Sequence, residues 1–346
     1  MQFAIGPYGA ISFTPSAQAV SCLQRRQGHT VALLRSLREA GVGLAQDLEV
    51  LATHPAAQGL SSWRHGWLSR IEAERMVELL TTIDARGLER LRDRRPTVCQ
   101  HPAFLPDEDT RGEGILVDVT APAAPDALDK MLEEVRSFLG RGWADFITPM
   151  HLITLVRVRG MPDLPFFSGS RSELPGAMHM TVPGDAAILA ESLTHEAAHF
   201  WLHAVEEQEG DLALHSWTDD TWVSPWREDP RPIAGVIHGV HVFSCVTLSL
   251  ISLVQQSSGK SPGFRSDSVV RRAIKVATQV EEGLTECARC AHLLPLGEAV
   301  CRASAARLDQ VLDWFEPEAL ATARAETKGR RLHKITKWRK DGRRIS

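Results

Sequence analysis

Cysteine is scarce: six residues in 346, at Cys22, Cys99, Cys245, Cys287, Cys290 and Cys301. They are too few and too scattered for a disulfide scaffold in a chain this long, and a reducing cytoplasm is the expected compartment. The opening stretch MQFAIGPYGAISFTPSAQ lacks the basic start and sustained apolar run of a signal peptide. Long apolar runs are equally rare. One, IAGVIHGVHVFSCVTLSLISLV at 233–254, has the length of a bilayer span. Its two histidines and the tryptophan-rich polar approach suit a membrane poorly, whereas the central helix of a large soluble core is also apolar all round. No membrane partner is expected. Internal repeats are absent, and no stacking or groove-reading motif points to nucleic acid.

With 43% hydrophobic and 24% charged residues, the chain has the composition of a globular protein able to bury a sizeable core. The net charge of −4 is unevenly spread. Residues 328–346, KGRRLHKITKWRKDGRRIS, hold nine Lys or Arg and one Asp, so this stretch carries +8 and the remainder −12. It reads as a solvated terminal extension, with a docking arm for an acidic partner as the alternative.

Helical apolar spacing marks 30–53 and 67–95. HPAFLPDEDTRGEG, 101–114, reads as a loop or domain seam. Strands are expected at 115–119, 153–158 and 177–182, with an amphipathic helix at 125–139. FFSGSRSELPG reads as a loop before the last of these strands. Pro183-Gly184-Asp185 then turns the chain into a helix with Asp185 as N-cap. Pro232 suits the first turn of the apolar helix, and 267–286 and 297–315 read as two more helices. The expected fold is α+β and mostly helical, with one helix beside a small mixed sheet in a zincin-like arrangement. Three regions follow: a helical 1–110, a metal-binding catalytic domain at 111–327 and the tail at 328–346.

The helix expected after Asp185 contains LTHEAAHFWLH, residues 193–203. Four helical residues amount to about 400°, so His195 and His199 lie within roughly 40° of one face. Two neutral imidazoles there can reach one divalent ion, with Glu196 beside them as the catalytic carboxylate. His203, a turn later, reads as a structural or surface histidine. A metzincin would need Gly at 202 and His at 205, and those positions are Leu202 and Val205. The apolar helix offers no glutamate as third ligand, but it does offer His238, flanked by Gly235 and Gly239; His241 is the alternative. Cys287-Ala-Arg-Cys290, with His292 and Cys301 near, reads as ordinary helix cysteines rather than a zinc or redox site.

Three stretches, FFSGSRSELPGAMHM, LAESLTHEAAHFWL and SPWREDPRPIAGVIHGVHVF, together resemble the HExxH-motif proteins encoded with ribosomally made, post-translationally modified peptides. Members of that family are α-ketoglutarate-dependent peptide β-hydroxylases. The resemblance covers roughly residues 150–255, and His241 departs from a position usually aromatic in the family. It implies an Fe(II) centre at His195, His199 and His238, 2-oxoglutarate and O₂ as cosubstrates, and a precursor peptide as partner. The far carboxylate of 2-oxoglutarate wants a guanidinium fork, for which Arg227 and Arg231 are the candidates. Ser168 and Ser170 would hydrogen-bond cosubstrate or peptide, and the 177–182 strand would present an open edge to the peptide. A zinc metallopeptidase with Glu196 as general base is the alternative reading.

Overall fold

The structure, a computed structural model, describes residues 17–63, 70–83, 88–89, 97–98, 117–119, 125–158, 167–170, 174–214, 221–256 and 267–341. The 101–114 stretch, Cys99 and residues 342–346 lie outside them. The chain is α+β and mostly helical. Its residues form two compact units, Ala17–Glu134 with Ala144–Phe200, and Val135–Trp143 with Trp201–Ser346.

In the first unit, α1 (Ala17–Glu39) ends ahead of Gly41, whose φ of 91° suits a residue without a Cβ. A separate short α2 (Leu48–Leu51) follows, capped by Asp47, whose carboxylate accepts the Val50 N–H at 3.1 Å. The single helix expected over 30–53 is therefore two. Next come α3 (Pro55–Trp63), α4 (Arg70–Thr81), β1 (Thr97–Val98), β2 (Val117–Val119) and α5 (Pro125–Ile147), of which Val135–Trp143 belongs to the second unit. The central strand is β3 (Leu152–Val158). It pairs in parallel with β1 and with β5 (Ala177–Thr181), and antiparallel with β2. Buried at every position but Arg157 from Leu152 to Val158, β3 has the near-continuous apolar run of a strand covered on both faces. Leu152 and Ala177 share one core with Leu34, Leu51, Leu60, Met76 and Leu80.

Two expectations need correction here. The SGS segment is a strand, β4 (Ser168–Ser170), antiparallel to β5 through Gly169↔His179. Strand β5 is thus paired on both sides, by β3 and β4, and offers no open edge for a peptide. Gly169 explains the close approach, since a Cβ there would sit 2.7 Å from His179 Nε2.

Helix α6 (Ala186–Glu209) leaves the sheet after β5. Asp185 caps it as expected, accepting the Ile188 N–H at 2.8 Å. The second unit adds α7 (Ile233–Gln256), α8 (Asp267–Ala288), α9 (Pro295–Leu312) and α10 (Pro317–Lys340). The apolar α7 is a core helix, packed against α8 and α9, with α10 on α8. Helix α8 buries Val269, Ala273, Val276, Val280 and Cys287, the three-and-four spacing of a buried stripe. The basic stretch is no solvated extension through residue 340. It belongs to α10, where Thr327, Lys334 and Trp338 are buried. Their spacing of seven and four places them on one inward stripe.

His54 caps α3 in an unusual way. Its Nδ1 accepts the Ala56 N–H at 3.1 Å, which requires a neutral ring. Burial, reinforced by His151, lowers its pKa to about 3. The unfolded chain therefore takes up this proton first, and stability falls as pH drops from about 6.5 towards about 3, by roughly 1.4 kcal/mol per pH unit. In His54→Asn the cap acceptor remains and the proton site goes. Chemical denaturation at pH 7 and pH 4.5 should show a smaller acid loss in the variant; equal losses would remove His54 as the source.

Candidate metal centre

The HExxH segment lies mid-helix in α6, and its residues point to different tasks. Leu189, Leu193 and Ala197 face the core. Glu196 is buried and receives two hydroxyl hydrogen bonds, Ser168 Oγ donating to Oε1 and Ser170 Oγ to Oε2, each at 2.6 Å. Positions 168 and 170 alternate with Gly169 along β4, so both hydroxyls project from the same face of the strand. The two serines expected at the cosubstrate thus tie edge strand β4 to the HExxH glutamate. His195 packs edge-on against His199, ring centroids 4.9 Å apart.

Along the helix, residues 195, 199, 203 and 206 fall within an arc of about 80°. The stripe continues past HExxH to His203 and Glu206. Glu206 Oε2 lies 3.2 Å from His203 Nδ1 and 2.7 Å from His238 Nε2 of α7. The rings of His203 and His238 are 4.6 Å apart. His199 precedes His203 by one turn of the same continuous helix. One nitrogen from each of His199, His203 and His238 lies within 4.8 Å of the others. Among the described residues, these three side chains are placed so that they could hold a metal ion. It sits one helical turn beyond the expected trio of His195, His199 and His238.

The surroundings keep His238 neutral and Glu206 ionised. Burial holds His238 below the ordinary histidine range, so its imidazole is neutral. Burial pushes the Glu206 carboxyl up, but hydrogen bonds from His203 and His238 outweigh it and bring the pKa to about 2. A neutral imidazole beside a carboxylate is what a divalent cation requires.

The segment before α7 is held by a bridge between Trp222 and Arg231. Arg227 and Arg231 both reach Asp229, at 3.5 and 3.1 Å. Gly239 leaves room for a side chain rather than a ligand, since a Cβ there would meet the Trp226 ring at 2.5 Å. His241 contacts Arg307 Nη1 at 3.3 Å, and that guanidinium also donates to Ser244 Oγ at 2.9 Å. His241, the alternative third ligand, is thus a hydrogen-bonded neighbour of Arg307. Cys287, Cys290 and Cys301 are free thiols.

Sequence reasoning missed Glu206 and assigned His203 to a structural or surface role. The signal was present: His203-Ala-Val-Glu206 repeats a ligand-capable residue at three-residue spacing on the stripe begun by His195. Arg307 carried no signal toward His241 and Ser244, because those partners come from a different helix.

Alanine at His203, Glu206 or His238 should remove most bound divalent metal, measured by elemental analysis of protein loaded and desalted in parallel. His195→Ala should retain it. Full occupancy in the Glu206 variant would take the carboxylate out of the site.

No known family model matches this chain, and neither does any curated protein.

Proposed function

We propose that this chain is a non-haem Fe(II) oxygenase that uses 2-oxoglutarate and O₂ to hydroxylate the β-carbon of a residue in a ribosomally made precursor peptide. The observation that carries the reading is the position of Glu206 Oε2, 2.7 and 3.2 Å from two imidazole nitrogens. Donors ~2.1 Å from one ion and at right angles stand about 3 Å apart, so this carboxylate and these imidazoles fit adjacent positions around a metal. Two histidines and one carboxylate on one face form the donor set of non-haem iron oxygenases. His199 would stand next to that set along α6. The resemblance over residues 150–255 implies the same chemistry, with the iron one helical turn earlier along α6, at His195 and His199 with His238.

When bound, iron would supply the redox chemistry with O₂ that the side chains themselves lack. His203, Glu206 and His238 would hold it and leave other positions for small ligands. The apolar α7 would keep bulk water from the His238 side. Arg231, less exposed than Arg227 (26% against 41%), would exchange Asp229 for the far carboxylate of 2-oxoglutarate. The contact of β4 with α6 suits a zincin-like arrangement, in which an edge strand runs beside the metal helix. A zinc peptidase would need Glu196 at a metal-bound water, and both Glu196 oxygens are engaged by serines. That favours the oxygenase.

Protein loaded anaerobically with Fe(II) should convert 2-oxoglutarate to succinate on exposure to O₂ and add one oxygen atom to the precursor peptide. The zinc form should be silent, because zinc has no redox chemistry. Mass spectrometry of the peptide decides, and cleavage by the zinc form without 2-oxoglutarate would establish the peptidase instead.

Arg231→Lys should hurt nearly as much as Arg231→Ala, because an ammonium cannot reproduce the planar two-point fork. The KM for 2-oxoglutarate should rise by roughly two orders of magnitude, about 3 kcal/mol, at normal iron content. An unchanged 2-oxoglutarate dependence in both Arg231 and Arg227 variants would place the clamp elsewhere.

A further inference from the structure

The segment 222–231 has no helix or strand of its own, yet its carbonyls are occupied one after another by side chains from distant helices. Lys334 Nζ of α10 donates to Ser224 O at 3.1 Å and to Arg227 O at 2.6 Å. Gln279 Nε2 of α8 donates to Pro225 O at 3.0 Å. Trp338 Nε1 of α10 donates to Glu228 O at 3.1 Å. Lys334 also faces the Glu228 carboxylate at 3.6 Å. Trp226 is stacked on Phe243 and fills a slot that exists because residues 239 and 283 lack a Cβ. An ammonium nearly withdrawn from water is costly unless its donors are used, and here they are used on one loop.

We infer that Lys334, with Trp338 and Gln279, is a positioning residue that fixes the 222–231 loop so that Arg227 and Arg231 are presented at the start of the His238 helix. The basic C-terminal helix acts as a strap on the site, and its inward stripe holds the loop backbone. Arg231 itself is pinned by its two backbone bonds to Trp222, at 3.0 and 3.1 Å. A preset loop spares the ordering entropy that carboxylate capture would otherwise require. This inference rests on the proposed 2-oxoglutarate chemistry for its functional half only.

The test uses the full chain with Lys334→Met, which keeps the aliphatic stem and loses the donors, and Trp338→Phe, which keeps a ring and loses the N–H. Hydrogen–deuterium exchange across 222–231 should quicken about tenfold in Lys334→Met and less in Trp338→Phe, with Lys334→Arg partly restoring protection. At unchanged iron content, the KM for 2-oxoglutarate should rise about tenfold while kcat changes less than about twofold. Should Lys334→Met fail to fold, Trp338→Phe carries both readouts. Wild-type exchange rates in the variants, or faster exchange with a wild-type KM, would overturn the strap. Wild-type iron protein that neither binds nor consumes 2-oxoglutarate would instead overturn the proposed activity, and the exchange arm would still decide whether Lys334 fixes the loop.

Discussion

A carboxylate held between two imidazoles organises the second unit of this protein. Glu206 closes the last turns of α6 onto His238, a buried polar group in a mostly apolar helix. Taking such a carboxylate out of water costs several kcal/mol unless its lone pairs are used, and His203 and His238 use them. The same apolar surroundings keep His238 neutral. Glu206 and His203 of α6 meet His238 of α7 there, and their mutual satisfaction makes the burial tolerable. Remove either imidazole and the carboxylate is left buried and under-partnered, which destabilises more than the absence of the whole set.

Two glutamates ten residues apart on one helix divide the work. Ten residues rotate by about 1000°, so Glu196 and Glu206 point roughly 80° apart. Glu196 meets the serines of β4 within the first unit, and Glu206 meets the histidines of the second. The glutamate that the HExxH spacing marks for catalysis is bound up in structure, and the one outside the motif stands at the imidazoles. A helical stripe keeps no record of where a motif is held to end.

The loop ahead of His238 shows a different solution to the same cost. Irregular backbone cannot satisfy its own carbonyls, so a buried loop needs donors from elsewhere. Lys334, Gln279 and Trp338 supply them. This accounts for a lysine and a tryptophan buried in a stretch whose composition suggests a solvated tail. Composition averages over a helix, whereas burial selects one stripe of it.

By itself the sequence determined the elements whose cause is local. Asp185 had to cap α6, the apolar 233–254 stretch had to be a helix, and the β-branched 153–158 run had to be a strand, because capping, apolar periodicity and β-propensity act over a few residues. It also marked the α6 and α7 histidines as the place to look, since His238 in an apolar helix needs a partner whatever the fold. Tertiary structure decided the rest. It chose His203 and Glu206 to meet His238, gave Ser168 and Ser170 to Glu196, paired both edges of β5 and set Lys334 under the 224–228 loop. The side-chain pairings among these join residues 26 to 110 positions apart or select one turn of a helix over the next. Spacing along the chain fixes which side of a helix a residue occupies, but only packing fixes what stands opposite it.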